Sequence, residues 1–276
     1  PAYAEFMRRF ARRYRGHLRY FTPVNEIFIS VEASTTTGHW NNAVVLGQTS
    51  DRDFVAVLGW VIDAAQGAWA AVREVIPDAI TLDSDPCDNH PHSPLREELK
   101  YVGWDLLYGI EPEPIVVDYL QRHGMSDARL RGLLEGGSPE RHIIGFDYYR
   151  GNDRAGMGGF YPLARQMLDR FARKAGRRFP CMLAEINGCE PWIGDFFTDV
   201  WNDALRLYAD GDCVGAIYYS LVDQCDWDHF ADRAHGHLLP IGLYDVDRAM
   251  RPAGKVMRDL VAAQRASMGL AAQPAA

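Results

Sequence analysis

Along the chain, the apolar positions alternate between a helical rhythm and short uninterrupted runs. Tyr3, Phe6, Phe10 and Tyr14 recur at helical spacing with Arg8, Arg9, Arg12 and Arg13 between them, and Gly16 ends the pattern; this predicts a helix over Tyr3–Tyr14. The apolar run Leu18–Val24 closes on Asn25 and Glu26 and reads as a strand delivering polar residues at its end. Asp53–Val75 is a long helix, with Asp53 as its cap and Pro77 as its stop. Ala79–Leu82 reads as a strand running into the polar loop Asp83–His92. The stretch Pro94–Gly137 is helical and loop-like, with short helical periodicity over Pro114–Arg122. Ile143–Tyr149 is a buried strand, Leu163–Lys174 a helix stopped by Gly176, and Pro180–Glu185 the next strand. Trp192–Tyr208 is an amphipathic helix, Val214–Leu221 the last strand, and Pro252–Ala266 the final helix. Residues 268–276 are rich in Ala, Gln and Pro and read as a frayed tail, leaving 1–267 as a single unit.

Strands that are apolar throughout and alternate with helices make an α/β fold with a parallel sheet covered by helices. Polar residues gather at the carboxyl end of each strand: Asn25 and Glu26, Asp83 and Asp85, Asp147 and Tyr149, Glu185, then Ser220 and Asp223. A (β/α)₈ barrel builds its site on that face. The competing architecture is a doubly wound open sheet, but no Gly-x-Gly-x-x-Gly or phosphate loop follows any strand.

Composition narrows the function classes. A length of 276 residues suits one barrel of roughly 250 residues. The net charge of −8 lacks the basic surface a nucleic-acid binder needs. The seven Trp fit either a sugar-stacking surface or a large core. Five Cys without a Cys-x-x-Cys pair point to reduced thiols and a cytoplasmic setting. With no uncharged apolar run of about 18 residues, no membrane partner is expected. The chain opens at Pro1 inside an amphipathic pattern, so the expectation is that it starts mid-protein.

Glu26 and Glu185 each end an apolar run, each has an Asn close by, and 185 − 26 = 159 residues separate them. Cleaving a glycosidic bond requires two carboxyl groups flanking the anomeric carbon, and two strand ends across a barrel mouth can supply them. The neighbouring residues are specific. Thr22-Pro23-Val24-Asn25-Glu26-Ile27 resembles the fourth-strand Thr-x-Asn-Glu-Pro of family 1 glycoside hydrolases, and Ala184-Glu185-Ile186-Asn187-Gly188 resembles that family's seventh-strand Thr-Glu-Asn-Gly. Ile144-Gly145-Phe146-Asp147-Tyr148-Tyr149 is similar to its sixth-strand Ile-Gly-x-Asn-Tyr-Tyr. Ser220-Leu221-Val222-Asp223-Gln224-Cys225-Asp226-Trp227 and Gly242-Leu243-Tyr244-Asp245-Val246-Asp247 resemble its eighth-strand segments, all in family order.

The resemblance implies a retaining β-glycosidase resembling the β-glucosidases, needing no cofactor or metal and acting on a small glycoside. Glu26 would be the catalytic acid/base, its pKa raised by the adjacent Glu185, the nucleophile. Asn25 would bind the sugar 2-OH, Tyr149 would hydrogen-bond the nucleophile, Trp227 would stack on the sugar, and Asp226 would bind its hydroxyls. The departures are Ile27 for Pro, Asp147 for Asn, Tyr219 for Trp, Asp226 for Glu, and Ile186 as an insertion before Asn187. They affect sugar recognition more than the two glutamates.

In this alignment the chain covers strands four to eight of the barrel. The first three, which in the family contribute a Gln and a His to the sugar site, would precede Pro1. Five strands cannot close a barrel. The chain is therefore expected to be poorly soluble or inactive alone, with the amino-terminal part of the barrel or a second copy as partner. The alternatives are a non-catalytic carbohydrate-binding barrel, a hydrolase of a neighbouring barrel family, and an inactive truncated fragment. The His- and Asp-rich loop Asp83–His92 matches no zinc or EF-hand spacing and reads as a polar substrate-rim loop. For the cluster Asp228, His229, His235, His237 the resemblance implies a polar loop, as a substrate-rim contact or a solvated loop rather than a metal site.

Overall fold

The computed structural model describes residues 2–37, 40, 50–188, 193–227 and 235–270. Its centre is a five-stranded parallel sheet in the order β1-β2-β3-β4-β5, formed by Tyr20–Phe21, Ile80–Pro86, His142–Asp147, Cys181–Glu185 and Cys213–Ala216. Spatial order equals chain order, as in a singly wound barrel; the sheet is a curled half-barrel with β1 and β5 as its edges. A two-stranded antiparallel ribbon, β6 (Gln224–Cys225) and β7 (Leu238–Leu239), follows β5.

Helices α1 (Ala2–Tyr14) and α3 (Asp51–Val75) pack on each other through one small cluster. Met7 and Ala11 meet Ala68, Trp69 and Val72 there, with Phe21 of β1 beneath. The cap of α3 is Ser50, whose hydroxyl accepts the Asp53 amide at 3.1 Å, so the helix starts before the expected Asp53. By length and composition α3 could cross a membrane. Here its apolar stripe, with Phe54, Leu58, Ile62 and Ala65 fully or almost fully buried, forms part of the core.

The stretch after β2 resolves into α4 (Pro94–Leu99), α5 (Val102–Tyr108), α6 (Pro114–Arg122) and α7 (Asp127–Gly136). Ser93 and Ser126 cap two of these, and Pro94 and Pro114 occupy first-turn positions where no amide partner is needed. Helices α8 (Phe160–Ala175), α9 (Ile193–Ala209) and α10 (Pro252–Ser267) complete the cover. Arg170 of α8 makes a bidentate pair with the fully buried Asp105 of α5, at 2.8 Å for both bonds, and its guanidinium lies 3.9 Å from the Tyr101 ring centre. Residues 271–276 of the expected tail lie outside the described residues.

Three expectations are corrected. The Leu18–Val24 strand shrinks to Tyr20–Phe21, and an unforeseen helix α2 (Ile27–Thr35) follows Glu26. The loop expected from Asp83 is strand as far as Pro86, because its polar side chains have buried partners. Asp83 meets His142 Nδ1 at 2.6 Å and the Tyr108 hydroxyl at 3.3 Å, while Asp88, Asn89 and His90 are buried rather than rim-facing. The last strand stops at Ala216, and the Tyr219–Ser220 peptide beyond it is cis.

Candidate active site

Glu26 stands at the junction of β1 and α2, in the left-handed backbone region at φ 46°, ψ 64°. That conformation is costly for a side-chain-bearing residue and survives only where its surroundings impose it. Asp85 from β2 does so by capping α2. Its two carboxylate oxygens accept the Phe28 amide at 3.1 Å each, and one also accepts the Ile29 amide at 3.3 Å. With the first turn of α2 pinned to β2 and Ile27, Phe28 and Val31 buried in the core, Glu26 is carried over the strand ends.

Asp147 and Glu185 end β3 and β4 as register partners, and the ladder shifts between Phe146 and Asp147. Such an irregularity re-aims side chains. One carboxyl oxygen each from Glu26, Asp147 and Glu185 lies within 4.8 Å of the others. Glu26 and Glu185 are thus close enough for both to reach one small group bound between them.

The surroundings give the two glutamates different chemistry. Glu185 has donors at both oxygens: Asn25 Nδ2 reaches Oε1 at 3.3 Å, and the Tyr149 hydroxyl donates to Oε2. Asn25 is itself oriented by Ser84, whose hydroxyl donates to Oδ1 at 2.8 Å. Burial, with the charge of Glu185 adding to it, pushes Tyr149 well above the usual phenol range, so it remains a donor. Glu26 is pushed up to about 7, first by burial and then by the charge of Glu185, while a hydrogen bond with Asp147 pulls the other way. Desolvation thus outranks the neighbouring charge expected to raise it.

These groups open into a cavity of about 470 Å³. Five of the six site residues picked out in the sequence line it: Asn25, Glu26, Tyr149, Glu185 and Trp227. The sixth, Asp226, does not; its carboxylate accepts the backbone amides of His235, Gly236 and His237 at 2.9, 3.1 and 2.7 Å. Burial raises its pKa, and those donors overcome the effect and hold it below the usual carboxylate range. It holds these three amides rather than facing the cavity. Asp228 and His229 lie outside the described residues.

Three further lining residues carried weak signals. Trp40 sits beside Trp227 with ring centres 6.0 Å apart, yet the sequence around it has no periodicity. Tyr219, which replaces a Trp of the resembling motif, contributes a ring whose hydroxyl accepts Gln224 Nε2 at 2.5 Å. Ile186, the inserted residue, is fully buried, while the following Asn187 lines the cavity.

No protein-family model matches the sequence, and no curated protein is similar to it. Solved structures do share its fold. The family 1 β-glucosidase from Thermotoga maritima aligns with a TM-score of 0.74 at 12% identity, over 94% of this chain and 67% of its own. The same organism's β-glucosidase bound to glucoimidazole aligns with a TM-score of 0.73 at 13% identity. The virulence factor SghA, in complex with its substrate analogue salicin, gives 0.74 at 16% identity, over 94% of this chain and 66% of its own. The chain spans about two thirds of the length of these barrels. They establish the fold as a partial (β/α)₈ barrel.

Proposed function

We propose that the protein is a retaining glycoside hydrolase acting on a small β-linked glycoside, with Glu185 as nucleophile and Glu26 as acid/base. The observation that carries the proposal is the approach of Glu26 and Glu185 to within 4.8 Å in a cavity with unequal environments for the two. Glu185, oriented by a donor on each carboxyl oxygen, is suited to attack the anomeric carbon. Glu26, pushed up to about 7, is suited to protonate the leaving oxygen and then deprotonate water as the glycosyl-enzyme is hydrolysed. Asn25, fixed by Ser84, would share its amide between Glu185 and the sugar 2-OH, a contact that strengthens in the oxocarbenium-like transition state. Trp227, with Trp40 beside it, would form the apolar wall against which a sugar ring stacks.

The fold neighbours, β-glucosidases among them, support a carbohydrate substrate. The same cavity would also serve a non-catalytic carbohydrate-binding barrel, and turnover separates the two. The protein should hydrolyse nitrophenyl β-glycosides with retention of configuration. Glu185→Ala should abolish turnover, and azide should restore it by forming the α-glycosyl azide. Sugar binding without turnover in the wild type would refute hydrolysis.

A further inference from the structure

Asp147 is fully buried, and among the described residues no N–H or hydroxyl group donates a hydrogen bond to either of its carboxyl oxygens. The groups acting on it are acidic: Glu26 at the head of α2, Glu185 on β4 and Asp85 on β2. Cys87 beyond β2 and Tyr149 beyond β3 are the other titratable groups close to it, and Tyr219 beyond β5 faces Glu26 and Glu185. Ser84 is in hydrogen-bond contact with Asp147 and pulls its pKa down, but its single hydroxyl proton is committed to Asn25 Oδ1 at 2.8 Å, so towards Asp147 its oxygen can only accept. An ionised carboxylate in this position would be desolvated, without donors and within 4.8 Å of two more carboxyls. A neutral carboxylic acid removes that conflict, but its O–H then needs an acceptor. Two acceptors are in hydrogen-bond contact with Asp147, Ser84 Oγ and Glu26. The carboxyl of Glu26 is the one that becomes charged and so the stronger acceptor, while each oxygen of Glu185 already has a donor in Asn25 or Tyr149.

We propose that Asp147 is a neutral carboxylic acid in the resting site and donates its proton in a hydrogen bond to Glu26, as a positioning residue for that glutamate. The proposal rests on Glu26 being the acid/base. Burial and the surrounding carboxyls raise Asp147 well above the usual carboxylate range, in the direction this requires. A buried acid kept neutral so that it can donate is an established device in enzyme sites. In the first half-reaction the Asp147 O–H would hold one Glu26 oxygen, leaving the other to carry the transferable proton. In the second it would donate to the ionised Glu26 while that carboxylate accepts a proton from water. Asp147 itself gives up no proton. It takes the part of an amide that donates at every working pH, at the position where the resembling motif has Asn.

The sign of one titration shift tests the proposal. The Glu26 carboxyl carbon is followed by ¹³C NMR against pH in the wild type, Asp147→Asn and Asp147→Ala. The alkaline limb of kcat/KM for nitrophenyl β-glycosides is recorded in parallel. Asp147→Asn keeps a donor and should leave the Glu26 midpoint within about half a unit of the wild type. Asp147→Ala removes the donor and should raise it by about one unit. An ionised Asp147 predicts the opposite, a fall in both variants, and that result overturns the proposal. Infrared spectra of the wild type give a second readout should Asp147→Ala fail to fold. A protonated-carboxyl band persisting at pH 8.5 and missing in Asp147→Asn supports the proposal, and its absence from the wild type refutes it. Expected shifts without any turnover uphold the proton donation and overturn the hydrolase function instead.

Discussion

The raised pKa of Glu26 makes a prediction about folding that is independent of any substrate. Its carboxyl titrates near 7 in the folded protein against an ordinary value of 4.5, a difference of 2.5 units. At about 1.36 kcal/mol per unit this is roughly 3 kcal/mol. The native state holds the proton between pH 4.5 and 7 where the unfolded chain has lost it, so stability declines as pH rises through that window. The contribution is complete below the unfolded value and gone above the folded one. Since domains are stable by only about 5–15 kcal/mol, the loss is large enough to measure. Glu26→Gln has no proton to lose and should lack this component. Urea unfolding of both proteins at pH 4.5 and 8.5 isolates it, because titrations common to both cancel in the double difference. The wild type should lose about 3 kcal/mol more than Glu26→Gln between those pH values, at unchanged m-values. Equal pH dependence in the two proteins would refute the buried, proton-holding environment and the acid/base assignment with it.

Other side chains give predictions of different kinds. Tyr149→Phe removes a donor from Glu185 and should lower kcat on nitrophenyl glycosides by about 10- to 100-fold, the worth of a hydrogen bond to a charged group; an unchanged kcat would rule out this tuning. Asp105→Ala leaves the buried Arg170 with the longer 3.3 Å pair to Glu98 in place of its bidentate partner and should cost about 3 kcal/mol in urea unfolding. Pairing it with Arg170→Met should recover most of that loss. Asp226→Ala should expose the amides of His235, Gly236 and His237 to faster hydrogen exchange while leaving the Glu26 titration in place. A changed Glu26 midpoint would instead tie Asp226 to the site. Val214 on the edge strand β5 is 54% exposed, and Val214→Lys should reduce any self-association seen by light scattering.

The sequence revealed most of the frame and missed what aims the site. The strands at Ile143–Tyr149 and Pro180–Glu185, and the helix at Trp192–Tyr208, lie within two residues of their observed ends, because buried runs and amphipathic stripes leave clear patterns. Helix α2 was illegible for a physical reason. Ile27, Phe28, Val31, Ala33 and Thr35 are all buried, so the segment has no polar face to mark a helical period, and its start is fixed by Asp85 from another strand. Asp83 and Asp85 were misread as loop because acidic residues inside a strand make sense only once His142, Tyr108 and the α2 amides are seen to satisfy them. Glu26 and Glu185 were findable because each closes an apolar run, and five of the six chosen residues do share one cavity. The environment of Asp147 was not findable, since the absence of donors around a buried carboxyl is a property of packing.

All three clustered carboxyls come from one contiguous arc. Glu26 is set by the β1–α2 junction, Asp147 by the end of β3 and Glu185 by the end of β4, with Asp85 of β2 pinning α2 between them. Their mutual electrostatics therefore depend on strands this chain contains, whereas β1 and β5 are edges and the cavity walls beyond them are a separate matter. The two requirements can be measured apart. A Glu26 midpoint near 7 combined with weak, unsaturating turnover would mean that the proton machinery is assembled and the sugar subsite is incomplete. Supplying in trans a segment that folds as three further strand–helix units against the β1 edge should then lower KM and leave the Glu26 midpoint where it was. A midpoint near 4.5 in the isolated chain, rising only when that segment is added, would show that the arc does not build the site by itself.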